Sequence, residues 1–324
     1  MKKITLGFSI LAAATSIFMV SCNKKVTEAP VADMEFDSSI EASYATSAVQ
    51  DIDMICGFLG ENAFPKFVAP AANSTGTMTV INNTLAPQSA QITWSNCICA
   101  DGKTRNGRIV MTYSFTDINS NYYRDYGFNG NLQLVDYSCD GWSIDDSVSL
   151  SAGLSRIKNL VPNSGNYSKL RWSVDGYFKF VNIADPTKRI DWVGTLYKTL
   201  QSSSPAPTAL TAITWTNAVV AYDGVYRGTT VGSKAFTYSV NPEQPLIRDY
   251  RCSPDKAIGI STTPSVAIVN SEFHPIINGV ASFTTGAEKE KEPRVIDYGT
   301  EGAPCDNSGT IYIKGISYKV DFRK

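Results

Sequence analysis

The sequence predicts a mainly β protein with antiparallel, sandwich-like sheets and one α-helix near its N-terminus. After Pro70, apolar residues alternate with period two in segments rich in Val, Ile, Thr, Tyr and Trp. Gly, Asn, Asp or Pro separates these segments, as expected of turns. Before residue 61 the clear apolar pattern instead has the helical spacing of three and four residues.

The N-terminus has the pattern of an export signal. Lys2 and Lys3 precede an apolar run from Ile4 to Val20 that is short for a membrane-spanning helix, and a small residue stands before Cys22. This predicts a signal peptide over residues 1–21, acylation of Cys22 and a lipidated tether over residues 22–37. An ordinary signal peptide with an incidental cysteine is the alternative.

A single helix is expected over residues 38–60. Ser38 and Glu41 have the spacing of a capping box, and Gly57 or Gly60 can end the helix. The apolar residues of this segment lie on one stripe, which predicts a helix that packs one face on a sheet. They are Ile40, Tyr44, Ala48, Ile52, Ile55 and Leu59.

The strands fall into two predicted β regions, residues 61–201 and 208–324, separated by the Ser/Pro-rich segment 202–207. Ile92–Asn96 (ITWSN) is echoed by Ile213–Asn217 (ITWTN), so a duplicated β unit is one explanation and convergent turn chemistry the other. The predicted strands are 91–94, 108–115, 131–137, 169–174, 177–181, 189–198, 235–240, 266–269, 294–298, 310–313 and 317–322, with a tight hairpin at Lys314-Gly315.

The charge balance narrows the range of partners. The chain has 29 basic and 30 acidic side chains, and loss of Lys2 and Lys3 with the leader changes its net charge from −1 to −3. Such a chain lacks the basic surface that nucleic acids or anionic lipids attract. We therefore expect no nucleic-acid partner, and membrane attachment through lipid alone.

Six cysteines besides Cys22 remain in the mature chain, an even number that favours disulfides in an exported protein. A zinc site is disfavoured because Cys97 and Cys99 have one intervening residue and the chain has one histidine, His274. Disulfides or buried free thiols are therefore expected at Cys56, Cys97, Cys99, Cys139, Cys252 and Cys305.

Three segments resemble a family of secreted Bacteroidota lipoproteins, which share a DG-x-x-R-x-G-x-I block, a W-x-x-DG segment and a terminal DYG…CDN…G block. They are DGKTRNGRIVMTYS (Asp101–Ser114), RWSVDGYFKF (Arg171–Phe180) and VIDYGTEGAPCDNSGTIYIKGISYKVDF (Val295–Phe322). The chain departs from the family pattern by an insertion at Thr300–Pro304. The resemblance implies an exported β protein and supplies no catalytic residue.

No catalytic residue, metal site or cofactor is predicted from the motifs. No G-x-S-x-G sequence is present, and a calcium-loop spacing at Asp117, Asn119 and Asn121 lacks the glycine and the final acid. A pair of carboxylates could still serve a glycosidase. The candidate acids are Asp101, Asp140, Asp145, Asp146, Asp175, Asp191, Asp223, Asp297 and Asp306, most of them beside turn-forming residues.

Aromatic residues in two predicted loops are the candidate ligand-binding groups. Trp142 follows Cys139-Asp140-Gly141, and Tyr122, Tyr123 and Tyr126 lie near another loop, whereas the other four tryptophans are expected in the core. In a Bacteroidota protein, Asp146-Ser147-Val148 also fits an O-glycosylation tripeptide, with Ser147 as acceptor.

These observations together predict a lipoprotein attached to the outer membrane, on either its periplasmic or its outer face. The expected role is non-enzymatic, either structural or in binding a glycan or an envelope protein. A glycan-directed hydrolase with a carboxylate pair is the alternative, and it requires two facing acids in a cleft.

Overall fold

The computed structural model describes residues 37–72, 74–83, 88–115, 122–146, 155–160, 167, 170–208, 210–251, 276–285, 293–299 and 308–321. Residues 35–324 form one compact unit. The predicted signal peptide and Cys22 lie outside the described residues, as do Ser147, Cys252, His274, Cys305 and Asp306.

Helix α1 runs from Asp37 to Gly60, which confirms the predicted helix to within one residue. Its surroundings differ from the prediction, because 19 of its 24 residues are buried and they lie on every face. Ser39 and Gln50 are fully enclosed, whereas Ile40 and Tyr44 of the predicted apolar stripe are only partly buried. The helix is therefore packed all round rather than along one stripe.

The described residues also form sixteen strands, joined in antiparallel pairs, and two short 3-10 helices at Lys66–Val68 and Trp215–Asn217. The strands are β1 (Thr77–Asn83), β2 (Gln88–Ile98), β3 (Thr104–Ser114), β4 (Asn129–Cys139), β5 (Trp142–Asp145), β6 (Arg156–Asn159), β7 (Arg171–Asn182), β8 (Arg189–Ser202), β9 (Val219–Thr229), β10 (Ala235–Val240), β11 (Leu246–Asp249), β12 (Ile276–Asn278), β13 (Val280–Thr285), β14 (Arg294–Asp297), β15 (Ser308–Ile313) and β16 (Ile316–Asp321).

All sixteen strands belong to one sheet, which confirms the mainly β class. Its main path runs β1-β2-β3-β4-β5-β7-β8-β9-β10-β13-β14-β15-β16. Strand β6 pairs with β4 and β7, while β11 pairs with β9 and β12. Because β8 and β9 pair along most of their length, the sheet continues across the segment 202–207 that separates the two predicted β regions.

The two echoed sequences adopt different structures. Trp94 lies within β2, whereas Trp215 begins a 3-10 helix. Both indole rings are buried, so the two tryptophans fill the core from different backbone conformations. In the terminal block, the hairpin predicted at Lys314-Gly315 is present between β15 and β16, and both of its turn residues have positive φ.

The inner face of the sheet contacts α1 from several strands. On β8, Trp192 Nε1 donates a hydrogen bond to Thr46 Oγ1 over 3.3 Å. On β7, the ring of Phe180 meets that of Tyr44 edge-on, with 6.3 Å between ring centroids. Val231 N–H, beyond β9, donates to Glu41 Oε2 over 3.0 Å. These contacts pack the helix against the inward-facing side chains of the sheet.

Strand β3 contains a bulge at Gly107. Its φ is +82°, and the pairing of β3 with β4 shifts between Asn106 and Arg108. A Cβ at this position would collide with the carbonyl of Asp136 on β4, so only glycine fits here.

Gly107→Ala is expected to reduce the free energy of unfolding by about 3 kcal/mol, because backbone strain and a steric collision add together. Gly102→Ala is the matched control, since Gly102 has a φ of +78° but open space where a Cβ would stand. The control should lose only about 1 kcal/mol. Urea unfolding monitored by tryptophan fluorescence measures both, and equal losses would contradict the collision.

Candidate functional site

The candidate functional site lies in the core, where acidic residues of α1 meet cations from the sheet. Asp51 contacts Lys103, and its Oδ1 lies 2.8 Å from Arg248 Nη1 on β11. Burial alone would raise the pKa of Asp51, but the attraction of Lys103 and Arg248 outweighs it and holds that pKa well below its usual value. Asp51 therefore stays ionised and ties α1 to two separate parts of the chain.

Two residues further along α1, Asp53 meets Lys198 of β8. Asp53 Oδ2 lies 2.7 Å from Lys198 Nζ, and both side chains have no solvent-exposed surface. Such a pair is costly to desolvate, so its presence in the middle of a core requires compensating contacts.

Three aromatic rings enclose Lys198 Nζ and supply part of that compensation. The ring centroids of Tyr123, Trp215 and Trp172 lie 4.8, 4.9 and 5.2 Å from the nitrogen. Tyr123 and Trp172 are stacked, with 4.8 Å between centroids. We call these three rings, with Lys198 and Asp53, the aromatic box. It is assembled from β7, β8, α1, the loop before β4 and the second 3-10 helix.

Two tyrosine hydroxyls contact the Asp53 carboxylate, one of them from a ring of the box. Tyr123 Oη donates to Asp53 Oδ1 over 3.0 Å, and Tyr222 Oη lies 3.5 Å from Oδ2. Tyr222 is in turn 3.3 Å from the hydroxyl of Tyr250. Burial raises the pKa of Tyr123 and of Tyr222, and the nearby negative charges raise both further, so the hydroxyls remain protonated donors.

Burial lowers the pKa of Lys198, and the attraction of Asp53 opposes that change only in part. Lys198 is thus closer to a neutral amine than an exposed lysine would be. A buried lysine with a lowered pKa is often found at a functional site, although here no solvent reaches its side chain.

Two further ion pairs flank the box. Asp101 and Arg105 form two parallel hydrogen bonds of 2.8 and 2.6 Å, both residues being buried. Glu61, just after α1, contacts the Arg124 guanidinium and accepts a 2.8 Å hydrogen bond from Arg124 N–H. Burial raises the pKa of Glu61 to about 7 even though Arg124 opposes the shift.

The four described cysteines are buried free thiols. Cys97 and Cys99 lie on the same side of one chain segment with 3.7 Å between their Sγ atoms, and Cys56 and Cys139 stand apart from them. Burial raises the pKa of Cys99 to about 12 and that of Cys139 to about 11. The sequence left disulfide bonds and buried free thiols as alternatives, and these four cysteines are buried free thiols. Disulfide bonds of Cys252 or Cys305 stay predictions.

The four predicted ligand-binding aromatics do not converge. Tyr123 is fully buried in the aromatic box, Tyr122 lies under the Arg124 guanidinium at 4.2 Å, and Tyr126 is 39% exposed. Trp142 packs on Tyr44 in the first half of α1, whereas Tyr123 contacts Gly60 at its end. Sixteen helical residues separate these contacts, a distance of about 24 Å.

The eight described candidate acids are distributed over the sheet. Seven of them accept a hydrogen bond from a nearby donor. Asp101 bonds Arg105, Asp140 bonds Thr104 N–H, Asp146 bonds Leu134 N–H, Asp175 bonds Thr195, Asp191 bonds Tyr177, Asp223 bonds Arg171 and Asp297 bonds Gly299 N–H. The seven therefore stabilise turns and neighbouring strands.

Strands β7, β8 and β9 carry a second polar arrangement on the outer side of the sheet. Tyr177 donates to Asp191 Oδ1 over 2.8 Å, and the Arg171 guanidinium lies 4.7 Å from the ring centroid of Tyr197. Between the two tyrosines, Val193 and Val225 are 43% and 47% exposed. We call these residues, with Arg171 and Asp191, the outer patch. A cross-strand hydrogen bond holds the Tyr177 ring in place, and the Arg171 guanidinium packs on the Tyr197 ring.

The buried position of Lys198 could have been predicted from the alternation of apolar residues along β8. Alternate residues of β8 face the core, among them Ile190, Trp192, Leu196 and Leu200. Lys198 lies an even number of positions from each of these, so it faces the core as well. A lysine at an inward position of a strand predicts a buried charge with a partner. The partner itself could not be found from sequence, because Asp53 lies on a helix and is remote along the chain.

Comparison with family models, with curated proteins and with solved structures finds no match. Within the described residues no three metal-ligating side chains are grouped together. Nor does the described part of the chain contain a helix with the length and apolar character needed to cross a bilayer.

The raised pKa of the buried Asp146 carboxyl group predicts that the stability of the protein depends on pH. Burial raises the pKa of Asp146 to about 6, and its Oδ2 has no hydrogen-bond partner among the described residues. The folded-state pKa lies above the unfolded value, so this group favours folding below about pH 4 and that contribution is lost as the pH rises through 6. Asp146→Asn removes the titration. The stability of the variant relative to the wild type should rise by about 2 kcal/mol between pH 4 and pH 7.

Urea unfolding at four pH values measures this difference. Asp136→Asn, at an exposed position of β4, is the control and should change stability by less than about 0.5 kcal/mol throughout. A flat difference for Asp146→Asn would show that its carboxyl titrates normally in the folded protein.

Proposed function

We propose that the protein is a lipid-anchored envelope protein with a non-enzymatic role, in which the sheet presents the outer patch to a glycan or protein ligand. The observation that carries the proposal is the patch itself. It combines two partly exposed tyrosine rings with fixed carboxylate and guanidinium groups, which is the chemistry that stacks on and hydrogen-bonds to sugar rings.

The position of the patch supports binding. It lies near the centre of the sheet path, and the inner faces of β7 and β8 beneath it carry buried residues of the aromatic box. A rigid surface loses little conformational entropy when it binds a ligand. Among the described acids, the hydrogen bonds that hold turns and strands also favour a binding role over hydrolysis.

The anchor rests on sequence. Cys22 follows an apolar leader, and the described body begins at the exposed Asp37, after the predicted tether of residues 22–37. The acylated cysteine would attach the body to the outer membrane, and the tether would hold it away from the lipid surface.

Cys22→Ser tests the anchor. In cells fed a clickable palmitate analogue, the wild type should be labelled and should sediment with the membrane fraction. The variant should lose the label and become extractable without detergent, because serine cannot receive the thioether-linked lipid. Labelling that persists in the variant would place the lipid elsewhere.

Tyr177→Ala and Tyr197→Ala test the outer patch. On an array of bacterial and host polysaccharides, the full chain should bind at least one glycan, and each variant should bind it at least about tenfold more weakly, equal to about 1.4 kcal/mol. Tyr312→Ala, another partly exposed tyrosine on β15, is the control and should bind as the wild type does. Equal binding by all three variants would exclude the patch.

A further inference from the structure

We propose that Lys198 and Asp53 form an amide bond that joins strand β8 to helix α1. Lys198 Nζ stands 2.7 Å from Asp53 Oδ2 with both side chains fully enclosed. The angles at this contact are not those of a hydrogen bond, and Nζ makes no hydrogen bond to the described residues. An amine this close to a carboxyl group, with both side chains shielded from solvent, is placed for reaction.

The enclosure favours the reactive forms. A lysine attacks a carboxyl group only as the neutral amine, and the carboxyl group reacts only as the neutral acid. Transfer of one proton from the ammonium to the carboxylate gives both forms at once. Full enclosure of both side chains makes separate charges costly, and burial lowers the pKa of Lys198, which favours the neutral amine.

The two tyrosines are positioned to assist. Tyr123 Oη donates to Oδ1, the oxygen that would carry negative charge in the tetrahedral intermediate and then become the amide carbonyl. Tyr222 Oη lies beside Oδ2, the oxygen that would leave, and can pass it a proton while Tyr250 stands behind as the next hydroxyl.

The bond changes balance without any other reactant. The lone pair of Nζ forms a bond to Cγ of Asp53, and the bond from Cγ to Oδ2 breaks. Oδ2 leaves as water, with the proton of the neutral acid and one proton from the amine. No atom is oxidised or reduced. Amine and acid are converted to amide and water.

A second lysine–aspartate pair in the same protein provides an internal comparison. Lys103 also contacts Asp51, but the two side chains are 20% and 12% exposed and Arg248 shares the carboxylate. Although burial opposes it, Asp51 raises the pKa of Lys103, so this amine stays protonated and cannot attack. The same chemistry is therefore expected at Lys198 and not at Lys103.

Peptide mapping of the purified full chain tests the proposal. Trypsin does not cleave after an acylated lysine, so denatured, digested wild type should yield residues 26–66 joined to residues 190–227. The mass of this product should equal the sum of the two peptides less one water molecule. The separate peptide 190–198 should be largely lost. Recovery of peptide 190–198 as the main product from the wild type would overturn the proposal.

Two variants sharpen the result. Lys198→Arg keeps the positive charge but offers no nucleophilic amine, so the joined peptide should vanish and the boiled chain should migrate more slowly on a denaturing gel. Tyr123→Phe keeps the ring and removes the donor to Oδ1, so the unjoined fraction should rise. If the Tyr123→Phe protein is still fully joined, the Tyr123 hydroxyl takes no part in the reaction. A joined peptide between residues 26–66 and 67–105 would show bonding at Lys103 and contradict the comparison.

Discussion

The rest of this fold depends on the ion pairs that buried acids of α1 form with cations from the sheet and the segment before β3. Asp51 and Asp53 enter the core on one helix, and Lys198, Arg248 and Lys103 reach them from separate segments. An unpaired charge at such depth is several kcal/mol unfavourable. Each pair is therefore satisfied only when β8, β11 and the segment before β3 all have the correct register against the helix. The charges specify one arrangement of a sheet whose apolar residues alone would accept several.

The residues of the DGKTRNGRI block and of the RWSVDG segment have structural roles. Asp101 and Arg105 lock the turn before β3, Gly107 allows the bulge, and Ile109 enters the core. Trp172, in the second segment, is a wall of the aromatic box. These motifs therefore specify the architecture of the sheet and its core, and the outer face of the sheet carries the exposed side chains that a ligand could contact.

The sequence predicted local structure better than long-range structure. The bounds of α1, strand β10 and the hairpin between β15 and β16 follow from capping residues, alternation and turn residues, all of which act over a few positions. Strand β9 was missed because Asp223, Gly224 and Gly228 resemble turn residues, yet they lie in the middle of the sheet. Asp53 is not among the residues of the predicted apolar stripe, and nothing local in the sequence marks it as buried. Its burial depends on Lys198, and local periodicity carries no information about so distant a partner.

The all-round burial of α1 has a consequence for how the chain matures. The helix is synthesised before every strand that surrounds it, and Asp53 is separated by 169 positions from Tyr222. Long-range contacts of this kind form slowly, because the intervening chain must first be brought together. A nascent chain leaving the ribosome therefore carries an exposed segment of apolar and charged residues whose partners have not yet been synthesised. Folding then depends on keeping that segment from other contacts until the sheet forms, a task suited to a chaperone.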